Sequence, residues 1–196
     1  MSQVGRRPDG LPEGYLAILK DRRRALVVGM GEVRMIRFNQ APAIGTYGLG
    51  SCSVVAVWSA DAAILAHIPP NPSNLNLDSR VSEENVRAMM REVKRIRDEN
   101  SYLFPTAGTT IICGRWWHEG PPMSGFETMA NGARLLPDQV DIMKRALTEM
   151  GYGHEIIEYN VPPNRTGMGA GTAIVVNRGP GQRVAVYLDD QIVVGR

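Results

Sequence analysis

Cysteine and histidine are scarce in this 196-residue chain, with two of the first and three of the second. A structural zinc site takes four such ligands at short spacings, and here only Cys113 and His118 lie close in sequence, so no metal is expected. Neither Cys52 nor Cys113 sits in a disulfide framework, and both are expected as reduced thiols. No apolar run approaches the roughly 20 residues a membrane helix needs, so no membrane insertion is expected. No apolar stretch follows the N-terminal arginines, which gives a cytoplasmic location as the expectation. Charge of one sign is lacking as well: the net charge is +2, too small to point to nucleic acid as a partner.

What remains is the composition of an ordinary globular protein, 43% hydrophobic and 21% charged, and a length that suits one well-buried domain. Residues 1–24 are rich in Gly, Pro and Arg and read as an N-terminal arm, partly disordered, in which residues 15–20 could form a helical turn or a docking strand. The domain is expected over residues 25–196. Residues 25–28 and the alternating run 32–38 read as strands around a turn at Gly29-Met30-Gly31-Glu32, which has no third glycine for a dinucleotide fingerprint.

Two strands that are apolar at nearly every position follow, at 53–58 and 63–68, and Pro69-Pro70 ends the second. A helix is expected from about Ser82, as N-cap, to Asp98, with Val86, Met89, Met90, Val93 and Ile96 as its buried stripe and a basic outer face. Residues 109–113 form a strand leading into a loop at Arg115-Trp116-Trp117-His118, where the tryptophans either rim a partner site or cap a core edge. Pro137 opens a second helix that Gly151 stops. Strands at 154–159 and 172–176 and a hairpin about Asp189-Asp190 complete the α+β pattern.

The chemistry gathers around Gly45-Thr46-Tyr47-Gly48-Leu49-Gly50-Ser51-Cys52. An even connection between the two apolar strands, at 59–60 or 59–62, puts Cys52 and His67 on one face of the hairpin. The shorter connection sets them directly opposite, about 4.5–5.5 Å apart at the side-chain base. A thiol beside an imidazole can pass on its proton and attack a carbonyl carbon, with its pKa drawn below the free value. Gly48, Gly50 and Ser51 give the loop freedom to turn N–H groups toward the developing oxyanion, and Thr46 is a candidate third group to orient the histidine. Cys113 with His118 is the rival dyad, but Cys113 follows an apolar run with no glycine loop and reads as buried.

The blocks Gly29-Met30-Gly31-Glu32, Thr46-Tyr47-Gly48-Leu49-Gly50-Ser51-Cys52 and Ala66-His67-Ile68-Pro69-Pro70 together resemble the CheD family of chemoreceptor glutamine deamidases over roughly residues 27–70. The resemblance implies a single-domain α/β sandwich of mixed sheets flanked by helices, shared with cytotoxic necrotizing factor toxins. It implies a hydrolase that converts a protein glutamine to glutamate with release of ammonia. Cys52 would be the nucleophile, His67 the general base and acid, and Thr46 the third residue, with no cofactor. The implied partners are a protein substrate bearing a reactive glutamine, a chemoreceptor in bacterial chemotaxis, and a CheC-like regulator. Two other readings stand beside it: a non-catalytic interaction module that works through Trp116, Trp117 or the helix at 82–98, and a cysteine hydrolase of small amides.

Overall fold

In chain order the elements are α1 (Tyr15–Asp21), β1 (Ala25–Val27), β2 (Val33–Arg37), β3 (Ala43–Thr46), β4 (Ser53–Trp58), β5 (Ala62–Ile68), α2 (Ser79–Glu99), β6 (Gly108–Trp116), α3 (Pro137–Glu149), β7 (Glu155–Val161), β8 (Ala173–Val176), β9 (Ala185–Leu188) and β10 (Gln191–Val194). They come from a computed structural model that describes residues 14–71, 79–117, 131–161 and 169–195. The strands form two five-stranded sheets, β1-β3-β8-β9-β10 and β2-β5-β4-β6-β7. The β1–β3 and β6–β7 pairs are parallel and the others antiparallel, so both sheets are mixed. This is the α+β sandwich expected from the sequence, in one compact domain. No helix among the described residues is long and apolar enough to cross a membrane.

Three apolar layers hold it together. Ile44, Val54, Leu65, Ile112, Val175 and Val186 fill the space between the sheets. Ile64, Ile68, Ile111, Val86, Met90 and Met143 join the second sheet to α2 and α3. Leu16, Leu19, Ala43 and Ile174 join α1 to the first sheet. Alternate residues of β4 and β5 serve different layers, which is why both strands are apolar at nearly every position. Each fully buried aliphatic side chain contributes about 1.5–3 kcal/mol of burial free energy.

The domain begins earlier than composition suggested. Residues 14–24, read as arm, include α1, whose Leu16 and Leu19 are buried, while residues 1–13 lie outside the described residues. Gly45 and Thr46, the first two residues of the expected glycine loop, instead end β3, which is fully buried and pairs with both β1 and β8. Gly45 sits there because of crowding: a Cβ would stand 2.8 Å from Leu16 Cδ1 and 3.0 Å from the Ala173 carbonyl. α2 starts at Ser79, so Ser82 lies inside its first turn and is not its cap. Its expected basic face is a mixed lattice, with Arg87 on Glu83, Arg91 on Glu84, Lys94 on Asp98 and Arg95 on both Glu92 and Glu99.

The Asp189-Asp190 turn between β9 and β10 has φ of 50° and 62°, the left-handed pair that two-residue hairpins demand. Aspartate tolerates that conformation, and both side chains are used. Asp189 accepts the Gly171 N–H, and both Asp190 carboxylate oxygens accept the Tyr15 N–H at the start of α1. Burial raises the Asp190 pKa, so its acceptor geometry matters more than its charge. Asp190→Ala combines a lost cap with backbone strain and should cost about 2 kcal/mol in urea denaturation. Asp190→Asn keeps both features and should stay within about 1 kcal/mol. Equal losses in the two variants would contradict this account.

Candidate active site

Thr46 closes β3 in the first sheet and His67 lies near the end of β5 in the second, so the two face one another across the inner core. Both are buried, at 0% and 2% exposure. Thr46 Oγ1 stands 2.6 Å from His67 Nδ1 and 2.7 Å from the Val28 carbonyl oxygen. A carbonyl only accepts, so the single hydroxyl hydrogen of Thr46 goes to Val28. Thr46 must then accept from His67, which fixes the proton on Nδ1. The lone pair is left on Nε2, which is buried and has no hydrogen-bond partner among the described residues.

The backbone of His67 is held as firmly as its ring. Its N–H donates to the Glu32 carbonyl, and its own carbonyl accepts from Gly31 N–H. The Gly29-Met30-Gly31-Glu32 turn therefore has a second task besides reversing the chain. Gly31 takes a φ of 79°, and Glu32 folds back so that its carboxylate accepts the Gly29 N–H. That places Met30 at the mouth of the site. Its side chain is 67% exposed, and its sulfur lies 3.9 Å from the Cys52 thiol.

Cys52 sits just before β4, 5% exposed and packed with Leu49 and Val54 in the inner core. The β4–β5 register pairs Val54 with His67 and Trp58 with Ala63, so the connection has the longer form, residues 59–62. Cys52 and His67 keep the same face but stand one diagonal step apart instead of directly opposite. The Cys52 carbonyl accepts the hydroxyl of buried Tyr159, a strand residue of β7. In the loop, Gly48 takes a φ of 81°, Leu49 N–H donates to the Gly171 carbonyl, and Gly50 N–H donates back to the Gly48 carbonyl. Of the loop positions singled out in the sequence, Gly50 thus has its N–H committed within the loop.

The expected low-pKa thiolate is not the resting state. Burial raises the Cys52 pKa, and burial lowers that of His67 to about 4. Among the described residues no charged neighbour offsets either shift, so the pair rests as neutral thiol and neutral imidazole. The His67 shift is also a statement about stability. Between pH 6.5 and about 4 the unfolded chain binds a proton that the folded chain refuses. Stability is therefore full above pH 6.5 and falls as the pH drops through that window, by on the order of 3 kcal/mol in total. Urea denaturation at pH 7 and pH 5 should show a drop of about 2 kcal/mol, and His67→Gln should remove that component. The same acid loss in both proteins would sink the assignment to His67.

The other candidates are apart from this cluster. Cys113 is 1% exposed on the α3 side of the second sheet, and burial pushes its pKa up to about 11. His118, its rival partner, lies outside the described residues. β6 continues through Trp116, which is 3% exposed and belongs to the fold, not to a rim. Trp117 is 41% exposed, with the Arg115 guanidinium 5.5 Å from its ring centroid. Among the described residues no three His, Cys, Asp or Glu side chains are grouped so as to hold a metal ion.

Met30, Val28, Tyr159 and Gly171 were not singled out as site residues. The glycine turn around Met30 was visible as a motif, but its contact with Cys52 is made across 22 residues of chain. No family model matches the chain, and no curated protein matches it.

Proposed function

We propose that the protein is a cysteine-dependent deamidase of protein glutamine side chains. One observation carries this reading: a buried histidine whose tautomer is fixed by Thr46, with its free Nε2 on the same inner face as a thiol in a glycine loop. The resemblance of residues 27–70 to CheD deamidases supports it and supplies the substrate class. The chemoreceptor as substrate and a CheC-like regulator belong to the same proposal.

In this mechanism a glutamine side chain displaces Met30, and the Cys52 thiol turns to give its proton to His67 Nε2 as Sγ bonds to the carboxamide carbon. Moving that proton makes an ion pair only when substrate has excluded water, which matches a resting pair that burial keeps neutral. The oxyanion is stabilised by loop N–H groups, with those of Ser51 and Cys52 beside Sγ, whereas Leu49 and Gly50 have theirs on the Gly171 and Gly48 carbonyls. Nε2–H then protonates the amide nitrogen, the C–N bond breaks, and ammonia leaves a thioester on Cys52. Water, deprotonated by Nε2, attacks the thioester to give glutamate and the free thiol.

The test is an acid quench during turnover of a glutamine-bearing protein substrate. Mass spectrometry should find an adduct on the Cys52 peptide equal to the substrate less ammonia, together with ammonium in solution. Ammonium release with no adduct on Cys52, or an adduct on Cys113 alone, would refute the mechanism.

A further inference from the structure

A cleft lies at the opposite end of the β4–β5 hairpin from Cys52. It has a volume of about 1050 Å³ and opens between the β4–β5 turn, the β8–β9 loop and the end of β10. Small-molecule sites run to several hundred cubic ångströms, so this one has ample room. Asn177 Nδ2 donates to the Ala60 carbonyl and ties the two sheets together beside it, while Ser59 Oγ accepts the N–H groups of Asp61 and Ala62 and braces the β4–β5 turn itself. The proposed deamidation makes no use of any of these residues.

Its lining is one-signed. Among the described residues Arg24, Arg178 and Arg183 contribute guanidinium groups, and no carboxylate lines the cleft. The nearby Asp61 lines an adjoining hollow of about 370 Å³ on the Arg37 side of the turn, which shares Phe38, Ala60 and Asn177 with the cleft. Arg178 is held in place, with Nε on the Arg183 carbonyl and Nη2 on the Gly195 carbonyl. A guanidinium fixed by two backbone bonds is pre-organised for an anion, and two more cations within the same cleft suit a dianion better than a single charge. The rim between Arg178 and Arg183 is Gly179-Pro180-Gly181-Gln182, and a Cβ at either glycine would meet nothing within 4 Å, so the backbone there is open to a ligand.

The other wall is aromatic. Trp58 lies on Gly108 so closely that a Cβ there would stand 2.6 Å from the indole, and Phe38 also lines the cleft. The glycine lets the indole settle against β6 and become a flat wall, the kind of surface that takes a planar ring. We propose that this cleft binds a small aromatic phosphate, its ring against Trp58 and its phosphate among Arg24, Arg178 and Arg183. The mononucleotide is the commonest chemistry of that description.

An amide NMR titration of the full chain tests this, with AMP and phenyl phosphate as probes and adenosine and inorganic phosphate as comparators. Both aromatic phosphates should give saturable shifts at Gly108, Gly179, Gly181 and the Trp58 indole. Adenosine and inorganic phosphate should each bind at least about tenfold more weakly. Arg183→Ala, at an exposed position, should weaken AMP by about tenfold with the rest of the spectrum unchanged. Four outcomes overturn the proposal: no shifts at these amides with either probe, inorganic phosphate binding as well as AMP, adenosine binding as well as AMP, or Arg183→Ala binding AMP unchanged. The second of these would mean an adventitious ion only.

Discussion

Cys52→Ala is expected to lower ammonium release from a glutamine-bearing substrate by about 10³-fold or more, with the fold intact. Stability and chemistry separate well at this position. The hydrogen bond that Cys52 gives the fold is made by its backbone carbonyl, with the Tyr159 hydroxyl, and survives any substitution. The polar contact of its side chain is a weak one to the Met30 sulfur at 3.9 Å. Removing one buried sulfur should therefore cost on the order of 1 kcal/mol in urea denaturation. Cys52→Ser should be nearly as inactive, because a hydroxyl buried at the same point gives up its proton far less readily than a thiol. Cys113→Ala provides the control: it removes an equally buried thiol on the helix side of the second sheet and should leave turnover within a few-fold of the parent. Turnover retained in Cys52→Ala, measured beside Cys113→Ala, would end the deamidase reading.

The parts of this fold that are legible in the sequence are those whose signal is local. β4 and β5 announce themselves because each face of each strand meets a different apolar layer, so Ser53 and His67, at the open end of the hairpin, are the polar residues in two otherwise apolar runs. α3 is legible because Pro137 and Gly151 bracket a 3.6-residue stripe. β3 is not legible, since Gly45 reads as a turn residue and only the approach of Leu16 and Ala173 explains it. α1 is legible only as a choice between a helical turn and a docking strand: its seven residues are too few to signal a helix alone, and Asp190, 175 residues away, holds its first turn. The site divides in the same way. Hairpin parity places Cys52 and His67 on one face whatever the even loop length, whereas the diagonal offset needed the register itself. Burial is a property of the packed molecule, so the direction in which both pKa values move, and with it the neutral resting pair, could not be read from residue types.

Thr46→Val is expected to have the second-largest effect, on stability and turnover together. The substitution keeps the shape and removes Oγ1, which serves two buried groups at once. The Val28 carbonyl, in a residue 1% exposed, loses its donor, and His67 Nδ1–H loses its acceptor. Leaving both unsatisfied should cost about 2–4 kcal/mol. The imidazole is then no longer held to one tautomer, and each molecule with the proton on Nε2 lacks a base for the Cys52 thiol. Turnover should fall by about 10²-fold, mainly in kcat, since Thr46 acts by positioning His67 and not by touching substrate. Thr46→Ser retains the hydroxyl and loses only a methyl in a fully buried position, so it should recover most of the turnover at a cost of about 1 kcal/mol. Nitrogen chemical shifts of the His67 ring separate this from a packing defect. The parent and Thr46→Ser should show a protonated Nδ1 and a bare Nε2, and Thr46→Val a mixture. A Thr46→Val protein that is destabilised but keeps the parent's ring shifts and kcat would reduce Thr46 to a packing residue, and the orientation of His67 would have to come from its backbone bonds to Gly31 and Glu32 alone.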